Sequence, residues 1–197
     1  YLYRPAASNP KEPDGTGFVM PYGDSPLDNE TVGQHVYMDI LNESRYYVHI
    51  MTPYLILDNE MVTSLINAAQ SGIDVRIITP HVADKWYVHM VTRSYYAQLI
   101  RGGVKIYEYT PGFIHSKMFV SDDQVAIVGT ANMDYRSFYL HFECGVSFYQ
   151  STMAAKVRDD ILRTLKVCQP VELDELNHAP LYHRAFTKLL RLMAPLM

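Results

Sequence analysis

Three short β-rich runs, at residues 46–52, 75–79 and 104–110, are separated by stretches in which apolar residues recur every three to four positions. That alternation constrains the fold more than any other feature of the chain. Residues 29–44 place Val32, Val36, Tyr37, Ile40 and Leu41 on one helical face, and residues 59–71 do the same with Met61, Leu65, Ile66 and Ala69 before Gly72. Residues 84–101 read as a third helix, capped by Asp84 and ended by Gly102-Gly103. After Pro111-Gly112 the pattern changes. Residues 116–121 and 125–129 flank Asp122-Asp123-Gln124 as a hairpin, 144–149 is a further strand and 152–165 a further helix. The expected fold class is α/β, with a mixed, mostly parallel sheet and helices on both faces.

With 197 residues, 48% hydrophobic and 19% charged, the chain can bury the core of one domain and is too apolar to be disordered. A formal net charge of −4 argues against a broad grip on nucleic acid phosphates, and no nucleic acid partner is expected. Cys144 and Cys168 are too few for a disulfide scaffold and read as buried thiols in a reducing compartment. No run approaches the roughly 18 to 20 apolar residues of a membrane span. The chain opens at Tyr1 rather than Met and is expected to be a piece of a longer one. Residues 1–17, rich in Pro, Asn, Gly and charge, read as a linker or arm, 18–168 as the domain, and 169–197 as a C-terminal segment.

In that last segment a helical wheel over residues 182–193 gathers His183, Thr187, Arg191, Arg184 and Lys188 within an arc of about 140°. All apolar residues fall in the complementary arc. Two readings stand: a helix docked on its own core with the basic residues solvated, or a face that lies on an anionic membrane surface.

The chemistry is concentrated in His115-Ser116-Lys117, Asp122 and Gly129-Thr130-Ala131-Asn132. On the expected strand, His115 and Lys117 share a face about 6 to 7 Å apart. An imidazole, an ammonium and a carboxamide from across the hairpin suit one anionic centre: the imidazole attacks phosphorus while Lys117 and Asn132 hold the equatorial oxygens. No cofactor is needed, because those donors supply the charge stabilisation that a cation gives in other phosphoryl-transfer sites. His35, His49, His81, His89, His141, His178 and His183 show no zinc-ligand spacing, so no metal is expected.

The stretch HSKMFVSDDQVAIVGTAN fits every fixed position of H-x-K-x4-D-x6-G-S/T-x-N, and in this the chain resembles the phospholipase D superfamily. The runs TPYLILDNEMVTSLINAAQSGIDVRIITP, RSYYAQLIRGGVKIYEYTPGFIHSK and GTANMDYRSFYLHFE, with the closing LLRLMAPLM, are similar to the C-terminal catalytic half of bacterial cardiolipin synthases. The resemblance implies a phospholipase D-like fold in which His115 is nucleophile or general acid, Lys117 and Asn132 bind phosphate, and Asp122 props the loop. It also implies that Glu143 accepts from the second nitrogen of the reactive histidine and fixes its tautomer. Tyr54, Arg93, Tyr95, Thr130, Arg136 and Tyr139 are candidates for binding a lipid headgroup.

Members of that family use two copies of the signature, and this chain carries one. An unprotonated alkoxide leaves poorly, so a second imidazole is required, from a missing N-terminal half or from a second copy of the chain. The implied activity condenses two phosphatidylglycerols to cardiolipin and glycerol through a phosphohistidine. Its implied partners are anionic phospholipids and a membrane surface, and its implied location is the bacterial cytoplasmic membrane. A lipid hydrolase, a nuclease and a non-catalytic lipid-binding half are the alternatives.

Overall fold

The computed structural model describes residues 17–28, 30–177, 187, 189–192 and 194. Four elements follow the alternation seen in the sequence: helix α1 (Val32–Glu43), strand β2 (Tyr47–Met51), helix α2 (Asn59–Gln70) and strand β4 (Asp74–Pro80). Asp58 starts α2 by accepting a hydrogen bond from Met61 N at 2.8 Å, and Glu60 in the first turn suits the positive end of the helix dipole. Helix α3 (Trp86–Arg101) leads to β5 (Lys105–Tyr109) through Gly103, whose φ of +97° suits only glycine. Asp84 does not cap α3. Lys85 occupies the cap position without a side-chain bond, because Asp84 is taken up by the Tyr54 hydroxyl at 2.6 Å and by Lys85 N.

Strands β6 (Met118–Ser121) and β7 (Val125–Gly129) form the expected hairpin, with Asp122 and Asp123 at positive φ in its turn. Beyond it come β9 (Glu143–Tyr149), helix α5 (Thr152–Leu165) and β10 (Cys168–Pro170). Strand β1 (Phe18–Asp24), which no periodicity announced, pairs along its whole length with β9. The order across the main sheet is β1-β9-β7-β6-β2-β4-β5-β10.

The α/β class and the helices on both faces hold, but the sheet is not mostly parallel. Only β2–β4 and β4–β5 pair in parallel; the other five pairings are antiparallel. The physical reason lies after β5, where a hairpin and edge additions replace crossover helices. A second small ribbon pairs β3 (Leu55–Ile56) with β8 (Met133–Asp134), followed by the short helix α4 (Tyr135–Tyr139).

Helices α1, α2 and α3 cover one face, burying Tyr37, Met61, Leu65 and Tyr96 against Val48, Ile50, Ile77 and Phe119. Helix α5 covers the other, setting Ala154, Val157 and Ile161 against Met51, Ile78, Val120 and Ala126. Their three- and four-residue spacing is the apolar stripe that docks a helix on a sheet. The expected C-terminal helix lies largely outside the described residues. Of those described there, Arg191 turns inward, 3.9 Å over the Tyr95 ring and 2.8 Å from Gln98 Oε1, while Leu189 and Leu192 are exposed. At these positions neither the solvated-basic nor the apolar-inward arrangement holds. Cys144 is exposed rather than buried, Cys168 is half-buried, and neither is in a disulfide.

Candidate active site

His115 and Lys117 lie just ahead of β6 rather than on a strand, in an extended segment that starts after Pro111-Gly112. Lys117 Nζ stands 3.2 Å from both His115 ring nitrogens and donates to the His115 carbonyl at 2.9 Å. His115 is exposed, and its ring lies 5.8 Å from that of Phe113. Burial pulls the Lys117 ammonium below the ordinary lysine range, opposed by the carboxylates of Glu143 and Asp134.

Asp122 props the site from behind. Its carboxylate accepts the backbone amides of Arg45, Tyr46 and Tyr47 at 2.7, 3.0 and 2.8 Å, fastening the hairpin turn to the α1–β2 loop.

The Gly129–Asn132 loop is pinned at each residue. Gly129 N donates to the Lys117 carbonyl at 3.2 Å and Thr130 N to the Cys144 carbonyl at 2.9 Å. The Tyr37 hydroxyl donates to the Ala131 carbonyl, and Asn132 N to Ser137 Oγ at 3.0 Å. Gly129 is required by contact, since a Cβ there would meet the Cys144 carbonyl oxygen at 2.6 Å. Asn132 Nδ2 gives one hydrogen to Ser137 Oγ at 3.2 Å, which leaves its second hydrogen for a ligand. Ser137 is buried in α4, where Asp134 accepts its backbone amide at 2.7 Å. Burial pushes the Asp134 carboxyl up.

Glu143 does not meet His115. It accepts from the Thr130 hydroxyl and faces His141 Nδ1 at 3.8 Å, so within this chain its acceptor oxygens serve Thr130 and His141.

The headgroup candidates separate. Tyr54 flanks the site, its ring 6.4 Å from Phe113 and its hydroxyl on Asp84. Tyr95 is 2% exposed, a core residue under Arg191, and is unsuited to touch a headgroup. The Tyr139 hydroxyl lies 2.6 Å from Asp58 Oδ2 and 2.7 Å from Gln34 Oε1, its one hydrogen shared between them, a brace between α4 and the first two helices. Arg136 is exposed on α4. Arg93 faces Glu108 rather than His115, with Nε 3.5 Å from Oε1. Among the described residues no group of three or more His, Cys, Asp or Glu is placed to hold a metal ion.

Sequence reasoning missed Ser137, Asp134 and Phe113. A cap signal, Asp134 three residues before Ser137, stood in the sequence and would have found the first two.

A histidine–lysine pair beside a mixed sheet, with a pinned glycine-to-asparagine loop, is the arrangement of a phospholipase D-like domain. Solved structures agree on the fold. A phospholipase D family member, Nuc, from Salmonella typhimurium superposes with a TM-score of 0.66 at 12% identity, covering 81% of this chain and 99% of that one. Phosphatidylserine synthase of Haemophilus influenzae gives 0.73 at 16% identity, covering 91% of this chain and 47% of that one. The family model described as cardiolipin synthase, PLD-like domain, matches residues 37–165, and the chain belongs to that family. An uncharacterized protein of Streptococcus mutans is 48% identical over 92% of this chain and 39% of its own length. A cardiolipin synthase of a Geobacillus species is 38% identical over 93% of this chain and 37% of its own. The chain thus spans under two fifths of these relatives.

Proposed function

We propose that this chain is one half of a two-signature phosphatidyl transferase that condenses two phosphatidylglycerols to cardiolipin and glycerol. The observation that carries the reading is the contact of the His115 imidazole with the Lys117 ammonium, at 3.2 Å, beside the pinned Asn132 loop. A ring nitrogen of His115 attacks phosphorus of the first lipid and the P–O bond to its glycerol headgroup breaks. A second imidazole gives the departing alkoxide its proton. That imidazole then takes the proton of the second lipid's headgroup hydroxyl, whose oxygen attacks phosphorus while the P–N bond breaks. Lys117 and Asn132 hold the non-bridging oxygens in both steps.

The second imidazole belongs to the remainder of a longer protein, a reading supported by the share of its relatives that this chain spans. Among the described residues no helix is long and apolar enough to cross a membrane. In this reading the whole protein works at the surface of the bacterial cytoplasmic membrane.

The test uses the natural full-length chain on phosphatidylglycerol vesicles. Cardiolipin and glycerol should form in equal amounts, and H115A should abolish both. Phosphatidic acid with no cardiolipin would make the enzyme a hydrolase, and no product together with no phosphate trapped on His115 would make the chain a binding half.

A further inference from the structure

Strands β2, β4 and β5 end, and β6 and β9 begin, at one end of the sheet, the end where His115, Lys117 and Asn132 lie. The strand order sets β9 on one side of β6 and β4 on the other, so the chain entering β9 and the chain leaving β4 flank His115. Both flanks are apolar and open to solvent. Ahead of β9, Leu140 is 53% and Phe142 69% exposed; beyond β4, Val82 is 48% and Trp86 62% exposed. Tyr87 meets Trp86 edge to face with ring centroids 5.8 Å apart, and Phe113, also exposed, stands 5.8 Å from the His115 ring. The reaction above uses none of these side chains.

The charges on the two flanks are sorted by sign. Asp84 and Glu143, the carboxylates there, accept from the chain's own hydroxyls of Tyr54 and Thr130. Lys85, next to Trp86, and Arg136, four residues before Leu140, are exposed. Exposed aromatic rings beside exposed cations match the interfacial layer of an anionic bilayer, where a ring rests at headgroup level and an ammonium meets phosphate. Further out, Leu27 is exposed too, but its loop includes the exposed Asp28 and Glu30, which anionic lipid repels, so the matching surface stops at β9.

A lipid that stays in its bilayer keeps its phosphorus at headgroup level. For the His115 imidazole to touch it, the side chains on either side must pass into that layer, which apolar and aromatic groups do at low cost. A protein surface seated over both flanks would instead shut His115 off from lipid. We propose that Trp86, Tyr87 and Phe113 on one flank and Leu140 and Phe142 on the other enter the interfacial layer of an anionic bilayer and so bring the lipid phosphorus to His115. This surface rests on the transferase reading above and says how its site meets the substrate.

The test follows the natural full-length chain on mixed vesicles of phosphatidylglycerol and phosphatidylcholine, and on dihexanoyl phosphatidylglycerol dispersed as monomers. W86S, and L140S combined with F142S, should each raise the vesicle KM about tenfold and leave turnover of the monomeric lipid within about twofold, which also shows that the variants fold. K85Q should raise the vesicle KM less, and added salt should erase its effect. Benzoylphenylalanine placed at Trp86 or Phe142 should form light-driven adducts with lipid. An unchanged vesicle KM, equal losses on both substrates, or adducts only within the protein would each overturn the proposal, the last by giving this surface to the rest of the longer chain. Should H115A keep its turnover of the monomeric lipid, the transferase reading itself fails, while the adducts still decide the bilayer contact.

Discussion

Ser137 Oγ accepts from both amides of Asn132, the backbone N–H at 3.0 Å and Nδ2 at 3.2 Å, and so sets the roll of the carboxamide as well as the path of the loop. Removing the hydroxyl frees one of those rotations. S137A should lower turnover of the full-length enzyme about tenfold, equivalent to about 1.4 kcal/mol, the scale of one lost hydrogen bond. In an N132A background the same change should cost little, because coupled residues are not additive. Equal losses in both backgrounds would assign Ser137 to general stability.

Asp122 holds three backbone amides at once. D122A leaves all three without their acceptor, and water reaches the half-buried turn only in part. The expected loss is about 1–3 kcal/mol, read as a lower denaturant midpoint. An unchanged midpoint would show the grip to be dispensable.

At Gly129 the neighbour in the way is backbone, with the Cys144 carbonyl oxygen 2.6 Å and Gly145 Cα 2.9 Å from where a Cβ would stand. G129A must push β7 and β9 apart at the base of the loop. About 1–3 kcal/mol of stability should be lost, with activity falling further than unfolding alone accounts for.

His49 is 5% exposed, and burial together with Arg76 lowers its pKa to about 4. The unfolded chain binds that proton near pH 6.5 and the native state only near 4, so stability is full above about 6.5 and declines as the pH falls toward 4. The decline attributable to this residue should be about 1–3 kcal/mol. Asp74 alongside, held down to about 2 by Arg76 and Lys105 against the cost of its burial, stays charged across that window. H49Q should flatten the slope of unfolding free energy between pH 4 and 6.5; an unaltered slope would place its origin elsewhere.

What the sequence made legible follows from how local each signal is. Helix α5 spans Thr152–Leu165, the bounds its periodicity predicts, and α2 ends one residue early, because an apolar stripe and a cap are properties of neighbouring residues. The signature marks His115, Lys117 and Asn132 in the same local way. Strand direction is not local: whether β6 runs with or against β2 depends on what lies between β5 and β6, and there the chain has no crossover helix. Glu143 has the residue type expected of a tautomer-fixing acid, yet its reach is decided by the β7–β9 pairing, which delivers it to Thr130. Tyr95 could have been placed in the core, since Val88, Val91, Tyr95 and Leu99 form one stripe of α3 and are all buried. Glu108 gave no signal, because its partners come from the end of β4, from α3 and from β10.

The grip of Asp122 also bears on how such a chain is made. Its three donors leave the ribosome 75 to 77 positions ahead of their acceptor, and the loop between them must close before any of those bonds can form. A molecule in which that long loop has not closed leaves three amides without their acceptor and the stretch ahead of β6 without this anchorage.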